Sequence, residues 1–113
     1  MKIETIDIKS DMPPADVAVA KLEIMINIFK KENVEVLKVI HGYGSHGKGG
    51  EIKKGVKKLL LLLMHFGKIK NFVCGENWGT EVIEANKIYE KYPELLFDAD
   101  LKNYNSGITI VFI

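Results

Sequence analysis

Arginine is absent from this chain of 113 residues, and all 16 basic residues are lysine. Lysine carries a point charge on a flexible stem, whereas arginine offers a planar fork that makes two parallel hydrogen bonds. Reading guanines in a major groove depends heavily on such forks. Any nucleic acid held here is therefore expected to be recognised by shape or backbone. Cysteine is scarce too. Cys74 alone cannot form an intramolecular disulfide and has no metal-ligand spacing around it, which fits a reduced, cytoplasmic setting. The longest uninterrupted apolar run, Leu59 to Met64, falls far short of the ~20 residues a membrane-spanning helix needs. The opening Met1-Lys-Ile-Glu-Thr-Ile-Asp mixes charged and apolar residues and does not read as a signal peptide. With no repeat, linker or low-complexity stretch, residues 1–113 read as a single domain able to bury its own core.

Net charge is only +1, but its distribution is uneven. Residues 1–37 carry 5 lysines against 7 acids, a balance of −2; residues 38–70 carry 8 lysines against Glu51 alone, a balance of +7. Residues 71–113 carry 3 lysines against 7 acids, a balance of −4. A basic centre between acidic ends favours a polyanionic partner, although a solvated lysine face is the commoner origin of such a run.

Hydrophobic spacing predicts the elements. Ile3 to Ile8 reads as a strand. Ser10-Asp-Met-Pro-Pro14 reads as a helix start, with a polar cap and proline at the first helical positions. The helix runs from about Pro14 to Lys31, with Ala15, Ala18, Val19, Leu22, Met25, Ile26 and Phe29 on one face. Val17, Ile24 and Ile28 lie off that stripe and call for a further element or a subunit contact. A second strand spans Val34 to Ile40, and a second helix about Glu51 to Phe66. Its inward stripe is Ile52, Val56, Leu59, Leu60 and Leu63, with Leu61 and Leu62 facing elsewhere. Gly67 ends it. A third strand spans Ile69 to Cys74. Thr80 is a candidate cap for a helix over Glu81 to Tyr92 bearing Val82, Ile83, Ile88 and Tyr89, and Pro93 stops it. Leu95 to Ser106 reads as loop. Gly107 to Ile113, apolar almost throughout, reads as a central strand. Crossover helices make the first three strands parallel, and the last is the candidate antiparallel one.

Between the second strand and second helix lies His41-Gly-Tyr-Gly-Ser-His-Gly-Lys-Gly-Gly50, with five glycines in nine positions from Gly42. Such a loop lets backbone approach a ligand closely, and the helix N-terminus behind it offers unpaired N–H groups and partial positive charge to a phosphate. Gly42-Tyr-Gly44-Ser-His-Gly47 matches G-x-G-x-x-G, but the acidic residue a dinucleotide site needs some 20 positions on is missing, where Leu62-Leu-Met-His stands. Gly42 to Lys48 also matches G-x-x-x-x-G-K, but Gly49 stands where a magnesium-binding Ser or Thr belongs.

A longer match is Ile40-His-Gly-Tyr-Gly-Ser-His-Gly-Lys-Gly-Gly-Glu-Ile-Lys followed by a leucine-rich helix. It resembles the signature of the Smr (small MutS-related) domain: an apolar strand ending in I-H-G-x-G, small residues, then a basic helix. That family usually ends in a strand with a G-x-T-x-V pattern, here Gly107-Ile-Thr-Ile-Val111. The resemblance covers residues 3–74 and 107–113. It implies a two-layer α/β fold, β-α-β-α-β-(α)-β, with helices on one side of a mixed four-stranded sheet, similar to the C-terminal domain of translation initiation factor three. It also implies DNA or RNA binding and, in many members, endonuclease activity. Residues 75–106 look like an insertion relative to a minimal Smr domain. The family's N-terminal L-D-L-H-G is here Ile6-Asp7-Ile8-Lys9-Ser10, with Lys9 in place of the histidine and Ser10 in place of the glycine.

The expected site follows. His41, at a strand end before a glycine loop, is a candidate to polarise a scissile phosphate or act as general acid, against the plainer role of anchoring the loop. Asp7 is a candidate to orient a water, or simply to pair with Lys9. Gly42, Gly44, Ser45, Lys48 and Gly49 form the phosphate-binding loop, with Lys53 and Lys54 beside it and Lys57 and Lys58 further along. Tyr43 and His46 are candidates to stack on a base, or are loop filler. Trp78 reads as a cover for the core edge and Cys74 as a small buried apolar residue. No cofactor or metal ligand is assigned, and the sequence leaves open whether cleavage would need a divalent metal. Partners are DNA or RNA backbone, with no membrane. Two alternatives stand beside this. One is a non-catalytic nucleic-acid or ribosome-binding module, favoured by Lys9. The other is a protein-interaction domain or homo-oligomer using Val17, Ile24, Ile28, Leu61 and Leu62.

Overall fold

The two long helices end by one device. In the first, α1 (Ala15–Lys31), Asn33 takes φ +62°, its N–H donates to the Lys30 carbonyl and that of Val34 to Phe29. In the second, α2 (Lys48–His65), Gly67 takes φ +70°, its N–H donates to Met64 and that of Lys68 to Leu63. These paired bonds satisfy the last carbonyls and turn each chain sharply into a strand. The structure is a computed structural model that describes residues 2–42, 48–79 and 85–113, with backbone alone at 48–49 and 85–87.

Strands β1 (Ile3–Asp7), β2 (Val36–Ile40), β3 (Asn71–Cys74) and β4 (Ile108–Phe112) form one mixed sheet in the order β1-β2-β4-β3. β1 and β2 pair in parallel, with α1 as the crossover, and β4 runs antiparallel to both β2 and β3. The first three strands therefore share a direction, but β3 does not touch β2, because β4 inserts between them. All five residues of β4 are buried, as its apolar run leads one to expect of a central strand.

On one face of the sheet, α1 and α2 close a core of Ile6, Ile8, Ala18, Leu22, Ile26, Leu37, Val39, Ile52, Val56, Leu59, Leu60, Leu63 and Val111. The two helices touch at Gly55, where a Cβ would lie 2.7 Å from Val19 Cγ2. Val17, Ile24, Ile28, Leu61 and Leu62 are exposed.

The other face is covered by the segment the resemblance implies to be an insertion. Trp78, Tyr92 and Leu95 pack on Val36, Val73, Ile108, Ile110 and Phe112, joined at the margin by Ile88 and Tyr89 of α3 (Ala85–Lys91). Residues 75–106 thus supply a second core, and Trp78 is a buried part of it rather than an edge cover. The stretch after Pro93 is not plain loop: Pro93–Phe97 makes a 3-10 turn that drives Leu95 inward. Thr80, Val82 and Ile83, expected to begin the third helix, lie outside the described residues. This segment is clamped by Lys38 on β2, which makes ion pairs with Asp98 (3.0 Å) and Asp100. Asp98 also accepts from the Trp78 indole (3.0 Å) and the Asp100 amide (3.2 Å), and Asp100 from the Asn105 amide (3.0 Å).

Candidate nucleic-acid interface

The C-terminal ends of β1, β2 and β3 meet at one edge of the sheet, the edge where open α/β sheets carry their sites. β2 leads there to His41 and Gly42, and the chain re-enters at the first turn of α2. That helix begins at Lys48, three residues earlier than the spacing suggests. Gly49 and Gly50 are therefore helical, and the unpaired N–H groups belong to the Lys48–Glu51 turn rather than to residues after it.

His41 is wholly buried, and both ring nitrogens are engaged. Nδ1 lies 2.7 Å from the Gly42 carbonyl, and Nε2 lies 2.8 Å from the Thr109 hydroxyl. A carbonyl only accepts, so Nδ1 carries the proton and Nε2 accepts from Thr109. The backbone repeats the link: the His41 and Gly42 amides both donate to the Gly107 carbonyl at 3.0 Å. Gly42 has φ +77°, a conformation costly for any residue with a Cβ. The H-G pair and the G-x-T of the last strand are thus one hydrogen-bonded unit. Burial pushes the ring below its ordinary value of 6.5; the Gly42 carbonyl opposes this and nearby Lys53 adds to it. Burial favours the neutral imidazole, and both ring nitrogens are engaged within the protein.

Asp7 is not a partner of His41. Asp7 pairs in register with Ile40, and strand alternation puts His41 on the face of Leu37 and Val39, opposite to that of Asp7 and Ile40. Its carboxylate closes its own turn, accepting from the Lys9 amide (2.9 Å), the Ser10 amide (3.1 Å) and the Ser10 hydroxyl (2.8 Å). Partial burial would raise its pKa, but the Ser10 and Lys9 donors outweigh this and hold it below 3.8. Ser10 therefore serves this turn rather than capping α1, whose N-cap is Pro14.

Among the lysines, Lys53 reaches from α2 to Glu76 Oε2 at 2.6 Å, in the 3-10 turn Gly75–Asn77 that follows β3. Partial burial raises the Glu76 pKa, yet the bond and charge of Lys53 keep it below 4.5. Cys74 is half-buried, and burial together with Glu76 pushes its thiol up. Lys54 makes an exposed 3.5 Å pair with Glu51, while Lys57 and Lys58 are exposed. Tyr43, Gly44, Ser45 and His46, and the side chain of Lys48, lie outside the described residues. Among the described residues no His, Cys, Asp and Glu cluster has the makings of a metal site, and no helix is long and apolar enough to cross a membrane.

Thr109 and Glu76 were not singled out by sequence reasoning. Thr109 stood in the final-strand pattern without a role. Glu76 would have been found only by knowing that β3 ends at the same edge as β2.

No family model matches the chain, and no curated protein matches it in sequence. Among solved structures it is similar to the Smr domain of Thermus thermophilus MutS2, with a TM-score of 0.59 and 11% identity. That alignment covers 96% of this chain and 95% of the other. The fold is Smr-like: an α/β arrangement with a mixed four-stranded sheet and three helices.

Proposed function

We propose that this chain is a diverged Smr domain that binds the phosphate backbone of DNA or RNA at the edge where α2 begins. One observation carries the reading: the first turn of α2 opens directly behind a backbone unit locked by His41, Gly42, Gly107 and Thr109, on the only strongly basic stretch of the chain. A helix start offers unpaired N–H donors and a partial positive charge to an anionic oxygen. In this reading Gly42, Gly44 and Ser45 of the loop and Gly49 in the first turn of α2 carry the contact. Lys48 and Lys54 supply charge, and Tyr43 and His46 stack on exposed bases. His41 is a positioning residue. Hydrolysis through His41 and Asp7 is not part of the proposal, because the one ring is sealed and the other group serves its own turn on the opposite face.

The test is fluorescence anisotropy with a labelled DNA duplex and an RNA hairpin over a series of salt concentrations. Backbone binding gives affinity that falls steeply with salt. Lys48→Ala and Lys54→Ala each weaken it about tenfold at low salt and flatten the slope of log K against log salt by ~0.9. Binding that is insensitive to salt and to both substitutions would contradict the reading.

A second reading rests on the exposed Val17, Ile24, Ile28, Leu61 and Leu62, which suit association with another protein or a second copy. Light scattering showing a stable oligomer without affinity for either nucleic acid would favour it.

A further inference from the structure

A lysine meant for phosphate should be free, yet Lys53, one turn inside α2 at the candidate site, is held by Glu76 at 2.6 Å. We propose that Glu76 is an internal counter-anion that occupies Lys53 until a backbone phosphate displaces it. This rests on the backbone-binding reading above and adds a regulation to that site.

Two features make the pair suited to exchange. First, it is open to water: the Lys53 and Glu76 side chains keep 26% and 38% of their surface exposed. An incoming oxyanion can reach the ammonium, and the released carboxylate can be solvated. Second, Glu76 is presented at a fixed place. A Cβ on the preceding Gly75 would collide with the Asn105 carbonyl and with Ile108 Cγ1, so the turn is pinned against the strand beside it.

The chemical consequence is selection by valency. Exchange moves Lys53 from one oxyanion to another and gains little by itself. A single free phosphate therefore has small advantage over Glu76. A polyanion also held by the first turn of α2 and by Lys54 presents its next phosphate at high effective concentration, and it displaces the carboxylate. The ion pair would make the site respond to a chain of phosphates rather than to one.

The decisive variant is Glu76→Gln, which keeps the shape and removes the charge. Anisotropy with the same labelled duplex and hairpin should show about tenfold tighter binding at low salt. The slope of log K against log salt should stay close to that of the wild type, because Lys53 meets a phosphate in both complexes, and only removal of Lys53 should flatten it, by ~0.9. Adding Lys53→Gln to that variant should abolish the gain, while circular dichroism confirms that both proteins stay folded. Wild-type binding that Glu76→Gln leaves unchanged, or weakens, overturns the inference and leaves the backbone-binding reading standing. No binding by either protein overturns that reading and the inference with it.

Discussion

Each face of the sheet carries a lysine held by carboxylates, and the two arrangements differ in what surrounds the charge. Lys38 sits between Asp98 and Asp100, with side chains only 15%, 17% and 23% exposed, and both aspartates are bonded onward to Trp78, the Asp100 amide and Asn105. Lys53 has one carboxylate, at the margin of the sheet, and both groups reach solvent. Distance alone would not separate them, since 3.0 Å and 2.6 Å are both good ion pairs. Burial and the number of secondary partners do. A partly buried, multiply bonded pair holds a segment in place and is costly to break from one side. A less buried pair with fewer partners contributes less to stability, which leaves it available for a ligand.

Breaking the Lys38 clamp should have the largest effect. Lys38→Met leaves two partly buried aspartates facing each other, and loosens residues 98–105 from β2. The expected loss is about 2 kcal/mol, a fall in Tm of roughly 8 °C. It should also change the acid limb. The Asn105 and Lys38 bonds hold the Asp100 carboxyl below its ordinary 3.8, so its stabilisation is present above that pH and lost as pH falls through the folded-state value. Urea melts from pH 5 downward should show a shallower acid loss in Lys38→Met than in the wild type.

A smaller effect is expected where the candidate site is anchored. Thr109→Val removes the hydroxyl that His41 Nε2 accepts, leaving a buried nitrogen without a partner, for about 1 kcal/mol; Thr109→Ser should restore most of it. The ring's depressed pKa sets a pH signature of opposite origin to that of Asp100. The unfolded chain binds a proton at His41 near pH 6.5 and the folded one does not, so this contribution is complete above that pH and erodes as pH falls through it. Stability curves between pH 8 and pH 5 should therefore flatten in His41→Asn relative to wild type. Glu76→Gln should give the smallest stability change, under about 0.5 kcal/mol, in contrast to its expected effect on binding. A loss as large as that of Lys38→Met would erase the distinction between the two lysines.

Much of the fold was legible because it depends on local spacing. The inward stripes of α1 and α2 follow from period alone, as does the burial of β4 from its unbroken apolar run. The exposed Val17, Ile24, Ile28, Leu61 and Leu62 were also visible as residues off the stripes. What escaped depends on register and on long-range pairing. Asp7 and His41 look like one constellation in the chain, and only the pairing of Asp7 with Ile40 sends them to opposite faces. The bond from His41 to Thr109 spans 68 residues, and the Lys53–Glu76 pair needs β3 to end beside α2. Residues 75–106 carry their core residues at irregular spacing, so their covering of the second face has no periodic signal. The early start of α2 at Lys48 was hidden by Gly49 and Gly50, which are poor helix formers in an interior but acceptable in a first turn whose amides are unpaired anyway.

The most direct test of the central claim is an amide-detected NMR titration of the isotope-labelled protein with an unlabelled DNA duplex at low salt. The expected result is a set of saturating shifts confined to the Gly42–Lys54 amides, reversed by added potassium chloride. Shifts confined to the α1 stripe of Val17, Ile24 and Ile28, or the absence of shifts at the start of α2, would contradict it.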